Sequence, residues 1–362
     1  MAPSSKKQLA IHDLQQRLRR QALINKLITF FCSNYLLKQP KPDSRLSGAM
    51  WVIELLNGNS ERMIENARMD PDVFGKLVKE LSTEGGLTPT TNVSQEQVMI
   101  FLVFAGQRTT SRTLQERFQH SDETITRHLY AVVDAILKLA GKYISIPEPG
   151  SPCPEENASN PKFAPYFSNC RMATDGTHLP VWVPACKCDA FRGRKGLTQN
   201  VLASCSFDLQ FTYVLAGWEG TAADGKLMVD ALSKDYRVDE GFYDLGDAGF
   251  ALTPYMLNPY RGVRYHLNEY AKGSKKPQTK KELFNLRHSS LRNAIERIIG
   301  ILKKRFPVLI ARMQYPYEFQ ERRRKRPYNR LWVDGNHREP CSEGIQEAAE
   351  SGQAKQMRDD IA

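Results

Sequence analysis

Three acidic residues lie at positions where a carboxylate could do chemistry. Asp175 and Asp247 each end a run of residues with strand-like composition, and Glu296 lies within a strongly basic helical segment. Carboxylate oxygens are the ligands that Mg²⁺ prefers, and two such ions can contact both the attacking and the leaving oxygen of a phosphodiester. The three acids therefore indicate a metal-dependent nuclease or strand transferase.

The segment around Glu296 predicts an amphipathic helix. Apolar residues recur there at steps of four, three and four, at Leu291, Ile295, Ile298 and Leu302. This helical period buries one face of the helix and leaves Glu296 at the edge of that face, between core and solvent. The alternative role for Glu296 is an ion pair with Arg292, which stabilises a helix by about 0.2–0.5 kcal/mol. The helix by itself favours this alternative.

Five sequence blocks, in order along the chain, carry a resemblance to a known family. They are Asp175-Gly-Thr-His178, residues 194–203 with residues 207–220, Asp247-Ala-Gly-Phe250, residues 259–266, and the helix around Glu296. Together they resemble the Harbinger-type (PIF/Harbinger) transposases, the DDE-superfamily endonucleases of eukaryotic cut-and-paste elements. The resemblance extends from about residue 30 to residue 317.

The resemblance implies a chemistry for the three acids. Asp175, Asp247 and Glu296 would be catalytic and would ligate two Mg²⁺ or Mn²⁺ ions about 3.5–4 Å apart, one activating water or a 3′-hydroxyl and the other stabilising the leaving oxygen. The substrate would be double-stranded DNA, at element ends and targets, and the site of action the nucleus. A homo-oligomer is expected, and in relatives a Myb-like protein encoded by the same element assists nuclear entry and end binding.

Two competing hypotheses stay open. A domesticated or decayed derivative would bind DNA or a partner protein without cutting it. A cellular RNase H-like nuclease acting on RNA fits less well, because the helical N-terminal half resembles a duplex-DNA module.

Composition agrees with a nucleic-acid partner. The 362 residues carry a formal net charge of +11, and residues 281–330 hold fourteen Lys or Arg against four Asp or Glu. Such a concentration of positive charge suits a polyanion. Seven cysteines without a secretory signal predict reduced thiols. The apolar run at residues 23–37 is too short and too polar to span a bilayer.

The N-terminal half predicts helices. Three of them, at about residues 95–106, 110–118 and 121–140, follow one another in a helix-turn-helix pattern. Thr124, Arg127 and His128 would then face the DNA duplex. From spacing alone, a plain three-helix bundle fits equally well.

The C-terminal half predicts a sheet. Strand-like runs lie at residues 170–175, 198–207, 211–217, 241–247 and 263–267, with a helix at residues 224–236 after the third run. This order is RNase H-like, an α/β fold with a mixed sheet and flanking helices. The first and fourth strands would be neighbours, which would bring Asp175 and Asp247 together, and the helix of Glu296 would pack across the sheet.

Several residues near the acids have two possible roles. Arg292, Arg297, Lys303 and Lys304 would contact DNA phosphates, although a solvated helix face explains them equally well. His178 is interpreted as a structural histidine, Trp218 as a core residue and Glu219 as an acid that could support the metal ligands. Asp224 is interpreted as the N-terminal residue of a helix and not as a metal ligand.

The sequence predicts five segments. They are a basic arm at residues 1–45, a helical DNA-binding domain at 46–145, a proline-rich linker at 146–165, a nuclease domain at 166–317 and a disordered tail at 318–362. The tail begins with the basic run at residues 322–326, a candidate nuclear-localisation signal. It lacks the apolar helix that continues the fold in the family, so truncation, a changed reading frame or a misjoined exon is expected there.

Overall fold

A computed structural model describes most of the chain. The described residues are 3–36, 43–89, 94–148, 150–151, 154–265, 267, 276–312 and 351–362. The chain divides into two units, residues 1–46 and residues 47–362. The first contains helix α1 (Pro3–Phe31) and a π-helical turn (Cys32–Leu36). No helix in the described part of the chain has the length and apolar composition needed to cross a membrane.

In the part of the second unit that the structure describes, six helices come first. They are α2 (Gly48–Asn57), α3 (Ser60–Ala67), α4 (Pro71–Thr83), α5 (Ser94–Gln107), α6 (Ser111–Phe118) and α7 (Asp122–Tyr143). The last three confirm the predicted helices. Ser121 caps α7, because its hydroxyl accepts the backbone N–H of Thr124.

Helix α5 is the centre of the helical core. It contacts each of the other five helices of this group, and most of its side chains are buried. Val308, which follows the Glu296 helix, packs into the same cluster. The backbone carbonyl of Arg68 also accepts hydrogen bonds from the Arg305 guanidinium, at 2.9 and 2.6 Å. The helical half is therefore packed directly against the C-terminal end of the helix that carries Glu296.

The C-terminal half contains a mixed sheet. Its strands are β1 (Cys170–Pro180), β2 (Arg192–Gly193), β3 (Gly196–Cys205), β4 (Phe211–Glu219), β5 (Tyr243–Leu245) and β6 (Met256–Leu257). The neighbours along the sheet are β4, β3, β1, β5 and β6, with β2 paired to the start of β3. Strands β1, β3 and β4 are antiparallel, whereas β5 is parallel to β1 and β6 to β5. The predicted adjacency of the first and fourth predicted strands, here β1 and β5, is confirmed.

Among the described residues, five helices accompany the sheet. They are α8 (Glu155–Ala158), α9 (Cys188–Phe191), α10 (Asp224–Lys234), α11 (Lys280–Arg305) and α12 (Gly352–Ile361). Helix α10 confirms the predicted helix after the third run. Helix α11 packs Ala294, Ile295 and Ile298 against residues of β1 and β3, as predicted for the helix of Glu296.

The predicted strand at residues 263–267 is wrong for the residues that the structure describes. Residues 263–265 form no strand, and the two residues of β6 occupy the sheet position beside β5 instead. The side-chain amide of Asn285 explains this, because its Nδ2 donates to the carbonyls of Tyr260, Val263 and Arg264 at 3.1–3.3 Å. A side chain from α11 therefore satisfies backbone groups that a strand would have paired with a neighbour.

The predicted disorder of the tail is wrong at the end of the chain. Residues 352–361 form α12, in which Ala354 is fully buried and Met357 and Ile361 pack against the core beside β5. The Arg358 guanidinium lies 4.1 Å from the centre of the Tyr260 ring, and the Tyr260 hydroxyl donates to Asp359. Residues 313–350, with the basic run at 322–326, lie outside the described residues.

Candidate active site

Asp175 and Asp247 lie side by side on the sheet, although Asp175 does not end its strand as predicted: β1 continues to Pro180, and Asp247 follows the end of β5 by two residues. Strands β1 and β5 pair in parallel with Ala173 opposite Leu245, and each acid follows its strand partner by two residues. Residues at equal offsets along paired parallel strands are neighbours. The sheet therefore brings together two acids that are distant in the sequence.

Arg292 joins the first and third acids. Its Nη1 lies 3.3 Å from Asp175 Oδ2, and its Nη2 donates to Glu296 Oε1. Its Nε donates to the Tyr265 hydroxyl at 2.7 Å, and the residue is only 7% exposed. The predicted ion pair between Arg292 and Glu296 is thus confirmed, and the same guanidinium reaches Asp175 on the sheet.

The electrostatics of Asp175 reflect a crowded acidic site. Burial raises the pKa of Asp175 to about 6; the Arg292 guanidinium opposes that rise, and the Asp247, Asp224 and Glu296 carboxylates add to it. For Arg292, burial acts to lower the pKa, but Tyr265, Asp175 and Glu296 outweigh it and hold the pKa above its ordinary value. Burial is therefore the main cause of the raised pKa of Asp175, and the Arg292 guanidinium offsets it only in part.

Whether these acids could hold a divalent cation depends on the chemical type of their donor atoms and on how close together the side chains lie. In the described residues, no three His, Cys, Asp or Glu side chains stand close enough together to hold one metal ion. The Arg292 guanidinium lies between Asp175 and Glu296 and supplies the positive charge there. The donors are nevertheless carboxylate oxygens around a site with surplus negative charge, which is the chemistry that Mg²⁺ or Mn²⁺ requires. The residues fit such a cation by donor chemistry.

The basic residues predicted to contact DNA on α11 have different surroundings. Arg297 and Lys304 are exposed, whereas Arg292 is buried among the acids. Lys303 is half-buried, and its Nζ donates to Thr177 Oγ1 at 2.7 Å and to the His178 carbonyl at 3.3 Å. Burial, then the nearby Lys195, lowers the pKa of Lys303. Lys303 therefore joins α11 to β1 through hydrogen bonds to residues two and three positions after Asp175.

On α7, the expected outward placement of His128 is wrong. His128 is 3% exposed, and its Nδ1 lies 3.2 Å from Nε2 of the buried Gln97 on α5. Burial, followed by the charge of His120, lowers the pKa of His128. Arg127 is exposed, as predicted, and its Nη2 lies 3.5 Å from Glu123 Oε1. Thr124 is half-buried, with its hydroxyl 3.0 Å from that of Ser121. DNA contact by Arg127 and Thr124 stays a prediction.

Three further side chains near the site have supporting contacts. His178 is half-buried, with Nδ1 3.2 Å from Thr198 Oγ1. Trp218 packs against the core between β4 and α10, and its Nε1 donates to Asp230 at 2.7 Å. Asp224 is the first residue of α10, as predicted. Its carboxylate, however, accepts a hydrogen bond from Asn200 on β3 and so points towards the sheet. Helix spacing could not have revealed this contact.

The part of the chain that contains the three acids is similar to a known protein family. Residues 174–327 match the family described as DDE superfamily endonuclease. The match begins next to Asp175 and includes Asp247 and Glu296. Residues 43–138 match a second family, described as a domain of unknown function (DUF8040). That segment includes α2 to α6 and most of α7.

A curated relative supports the same assignment. The chain is 25% identical over 240 residues to "Protein ALP1-like" of Arabidopsis thaliana. The aligned segment covers 61% of this chain and 55% of the relative, so this chain spans about half the length of that protein. No solved structure matches the chain. Together these findings support a transposase-like nuclease family for residues 174–327.

Proposed function

We propose that this protein is a transposase-derived DNA endonuclease or strand transferase of the Harbinger type, with an RNase H-like catalytic domain. The observation that carries the proposal is the parallel pairing of β1 with β5, which sets Asp175 beside Asp247. The third acid, Glu296, lies on the helix that packs across the same strands and shares Arg292 with Asp175. The strand order β4, β3, β1, β5, β6 supports the RNase H-like part of the proposal.

In this proposal Asp175, Asp247 and Glu296 would hold two Mg²⁺ or Mn²⁺ ions. When bound, such ions activate the attacking oxygen and stabilise the leaving oxygen of the phosphodiester. Asp175 is fixed by its position within β1, and Lys303 fastens the helix of Glu296 to the same strand. The strand and the helix would thus hold the carboxylate oxygens in place as metal ligands. No protein side chain is needed as a covalent nucleophile.

Double-stranded DNA is the proposed substrate, and the nucleus the proposed location. Arg297 and Lys304 are exposed on α11, and Arg127 is exposed on α7, so each can reach a phosphate without losing a buried contact. Positive side chains near a nuclease site attract the DNA backbone and make binding dependent on salt. A homo-oligomer and a Myb-like accessory protein belong to the same proposal, by analogy with the family.

A specific observation favours a second candidate, a protein that binds DNA without cutting it. Arg292 already pairs with both Asp175 and Glu296 and is itself buried. In an active enzyme this ion pair would give way when a metal ion binds. In the second candidate Arg292 would take the place of the metal permanently. In the second case the chain would act as a nuclear DNA-binding or partner-binding protein.

A nicking assay with a matched variant separates the two candidates. The purified full chain would be incubated with supercoiled plasmid that carries the DNA flanking its own gene, in Mg²⁺, in Mn²⁺ and in chelator. The variants are Asp247→Asn and Glu240→Gln, the latter at an exposed acid before β5. We expect metal-dependent nicking by the wild type and by Glu240→Gln, and background nicking by Asp247→Asn. Equal nicking by all three proteins, or none by any, would remove the endonuclease proposal.

A further inference from the structure

The hairpin formed by β2 and β3 presents basic side chains that the protein itself does not pair. Its turn consists of Arg194 and Lys195, between the paired residues Gly193 and Gly196. Both turn residues are exposed, as is Arg192 at the start of β2. In the part of the chain that the structure describes, none of the three basic residues forms an ion pair with an acid. Their charges are therefore directed to solvent or to a partner.

The base of this hairpin is held firmly against the rest of the sheet. Phe191, which comes directly before β2, is buried. A Cβ atom at Gly220, the residue after β4, would overlap the Thr198 carbonyl and lie 2.8 Å from that of Phe191. Thr221 Oγ1 also donates to the Ala190 carbonyl at 2.8 Å. A hairpin that is already fixed loses little conformational entropy when its side chains bind a partner.

A second basic segment reaches the same turn. Gly196 has a φ of 91°, in the region that favours glycine, and a Cβ atom there would lie 3.9 Å from Arg312 Nη2. Arg312 is exposed and follows the short helical turn Pro307–Ile310 that comes after α11. It forms no ion pair with any acid that the structure describes. Positive charges from two distant parts of the chain therefore meet at the hairpin turn.

The position of the turn relative to Asp175 follows from the strand pairing. The Val181 N–H donates to the Leu197 carbonyl at 3.1 Å, so the hairpin begins opposite a residue six positions after Asp175. At about 3.3 Å per residue, this separation is roughly 20 Å along the strand. Burial, followed by the charge of Lys195, lowers the pKa of Lys303, so the Lys195 ammonium lies on the side of the hairpin that faces α11. Since one DNA strand carries a phosphate about every 3.4 Å of helix axis, the turn would face phosphates about six nucleotides from the acids.

We propose that Arg192, Arg194, Lys195 and Arg312 form a phosphate clamp, which binds the backbone of the DNA that flanks the cleaved bond. This inference rests on the proposed function, because it takes double-stranded DNA as the substrate. Positive charges gathered at one turn repel one another in the free protein, and a bound phosphate backbone removes that repulsion. Contacts to phosphates carry no sequence information, so the clamp would position the duplex without selecting its sequence.

Fluorescence anisotropy with a labelled duplex of random sequence tests the inference. It is measured in chelator with the full-length wild type, Arg194→Ala/Lys195→Ala and Lys234→Ala/Arg237→Ala. The last is the matched control, because it removes two exposed positive charges at the end of α10 that is distant from Asp224. We expect the hairpin variant to bind the duplex roughly 10-fold more weakly than the wild type at moderate salt, and the control to bind as the wild type does.

The salt dependence of the affinity separates phosphate contacts from a loss of structure. Two lost contacts should reduce the slope of log affinity against log salt by about 1.8, at about 0.9 for each contact. Arg194→Lys/Lys195→Arg keeps both charges and should have the affinity and slope of the wild type. An unchanged slope in the alanine variant, or an equal loss of affinity in the charge-conserving variant, would overturn the inference.

A variant outside the hairpin covers the case in which Arg194→Ala/Lys195→Ala does not fold. Arg312→Ala leaves the hairpin intact and should reduce the slope by about 0.9. A wild-type slope in Arg312→Ala would then overturn the inference.

The remaining outcomes distinguish the clamp from the proposed function. If the wild type and the hairpin variant bind the duplex equally well, the clamp is overturned and the proposed function stands. If the hairpin variant loses binding but the wild type nicks no plasmid, the clamp stands and the endonuclease proposal falls. If the wild type binds no duplex even at low salt, both fail together.

Discussion

Arg292 Nη1 lies 3.3 Å from Asp175 Oδ2, and the same guanidinium binds Glu296. A residue of α11 thus links an acid of the sheet to an acid four residues further along its own helix. Arg292 is 7% exposed, so its contact with the partly buried Asp175 is not a surface ion pair, whereas solvent screens its contact with the exposed Glu296. The single positive charge of Arg292 offsets part of the negative charge of the two carboxylates. The remaining negative charge would attract a cation.

Removing Arg292 should destabilise the metal-free protein in a pH-dependent way. In Arg292→Ala, Asp175 loses the cation that opposes the rise of its pKa, so that pKa should move above about 6. A buried acid with a raised pKa destabilises the fold as pH rises, because the unfolded chain ionises it more easily. We expect a loss of about 1–3 kcal/mol at pH 8 and a smaller loss at pH 5. Urea unfolding in chelator at both pH values measures the difference.

The control for this prediction is Arg297→Ala, at an exposed arginine of the same helix. Its unfolding free energy should change little at either pH. An equal loss for Arg292→Ala at pH 5 and pH 8 would show that lost packing, and not the charge of Asp175, causes the effect.

His288 should make the protein sensitive to acid. It is fully buried, its Nε2 donates to the Leu257 carbonyl at 2.9 Å, and burial lowers its pKa to about 3. Below the ordinary pKa of about 6.5, the unfolded chain binds a proton that the folded chain excludes. Its contribution to stability is therefore complete above pH 6.5 and is lost as pH falls towards 3.

The test for His288 is the variant His288→Gln, whose amide can still donate to Leu257. Between pH 6.5 and pH 5, the wild type should lose about 2 kcal/mol more of its free energy of unfolding than the variant does. Urea unfolding at the two pH values gives this difference. Parallel pH profiles for the two proteins would contradict the prediction.

The C-terminal helix α12 should be part of the stable core. Ala354 is fully buried, whereas its neighbour Gln353 is exposed. Ala354→Arg would force a charged side chain into the cluster beside β5, and we expect a loss of about 2–4 kcal/mol of stability. Gln353→Arg introduces the same residue one position away and should have almost no effect. Thermal unfolding measures both, and similar midpoints for the two variants would show that α12 does not dock.

Arg127 should contribute to DNA binding through phosphate contact. It is exposed on α7, and its contact with Glu123 is a surface pair that DNA could replace. Arg127→Ala should weaken binding to duplexes of any sequence and reduce the salt dependence of the affinity by about one counterion. Arg62→Ala, at another exposed arginine paired to an acid, is the control. Fluorescence anisotropy at several salt concentrations would show the effect, and equal slopes for both variants would contradict it.

The pairing of Asp175 with Asp247 could be predicted from the sequence because both acids end strand-like runs. The adjacency of the first and fourth strands was then expected from the RNase H-like order of the strands and helices. The contact between Arg292 and Asp175 could not be predicted, since it depends on the depth and rotation with which α11 packs on the sheet. The orientation of Asp224 was missed for the same reason, because Asn200, which donates a hydrogen bond to its carboxylate, lies on another element.

For two of the wrong predictions, the outward placement of His128 and the disorder of the whole tail, the sequence itself contains evidence against them. His128 lies three residues after Ile125 and next to Leu129, both of which are buried, so helical spacing alone places it on the inner face of α7. In α12, Ala354, Met357 and Ile361 recur at helical spacing, but the acidic and polar composition of the surrounding tail outweighed that short pattern.

The proposed function requires that Asp175 and Asp247 hold a divalent cation, with Glu296 completing the site. Crystals of the full chain grown with Mn²⁺ would test it through the anomalous scattering of the metal. We predict an anomalous peak about 2.0–2.6 Å from carboxylate oxygens of both aspartates, the range for hard cations bound to oxygen. A map without such a peak, in which Arg292 still joins Asp175 to Glu296, would show that these acids do not form a metal site.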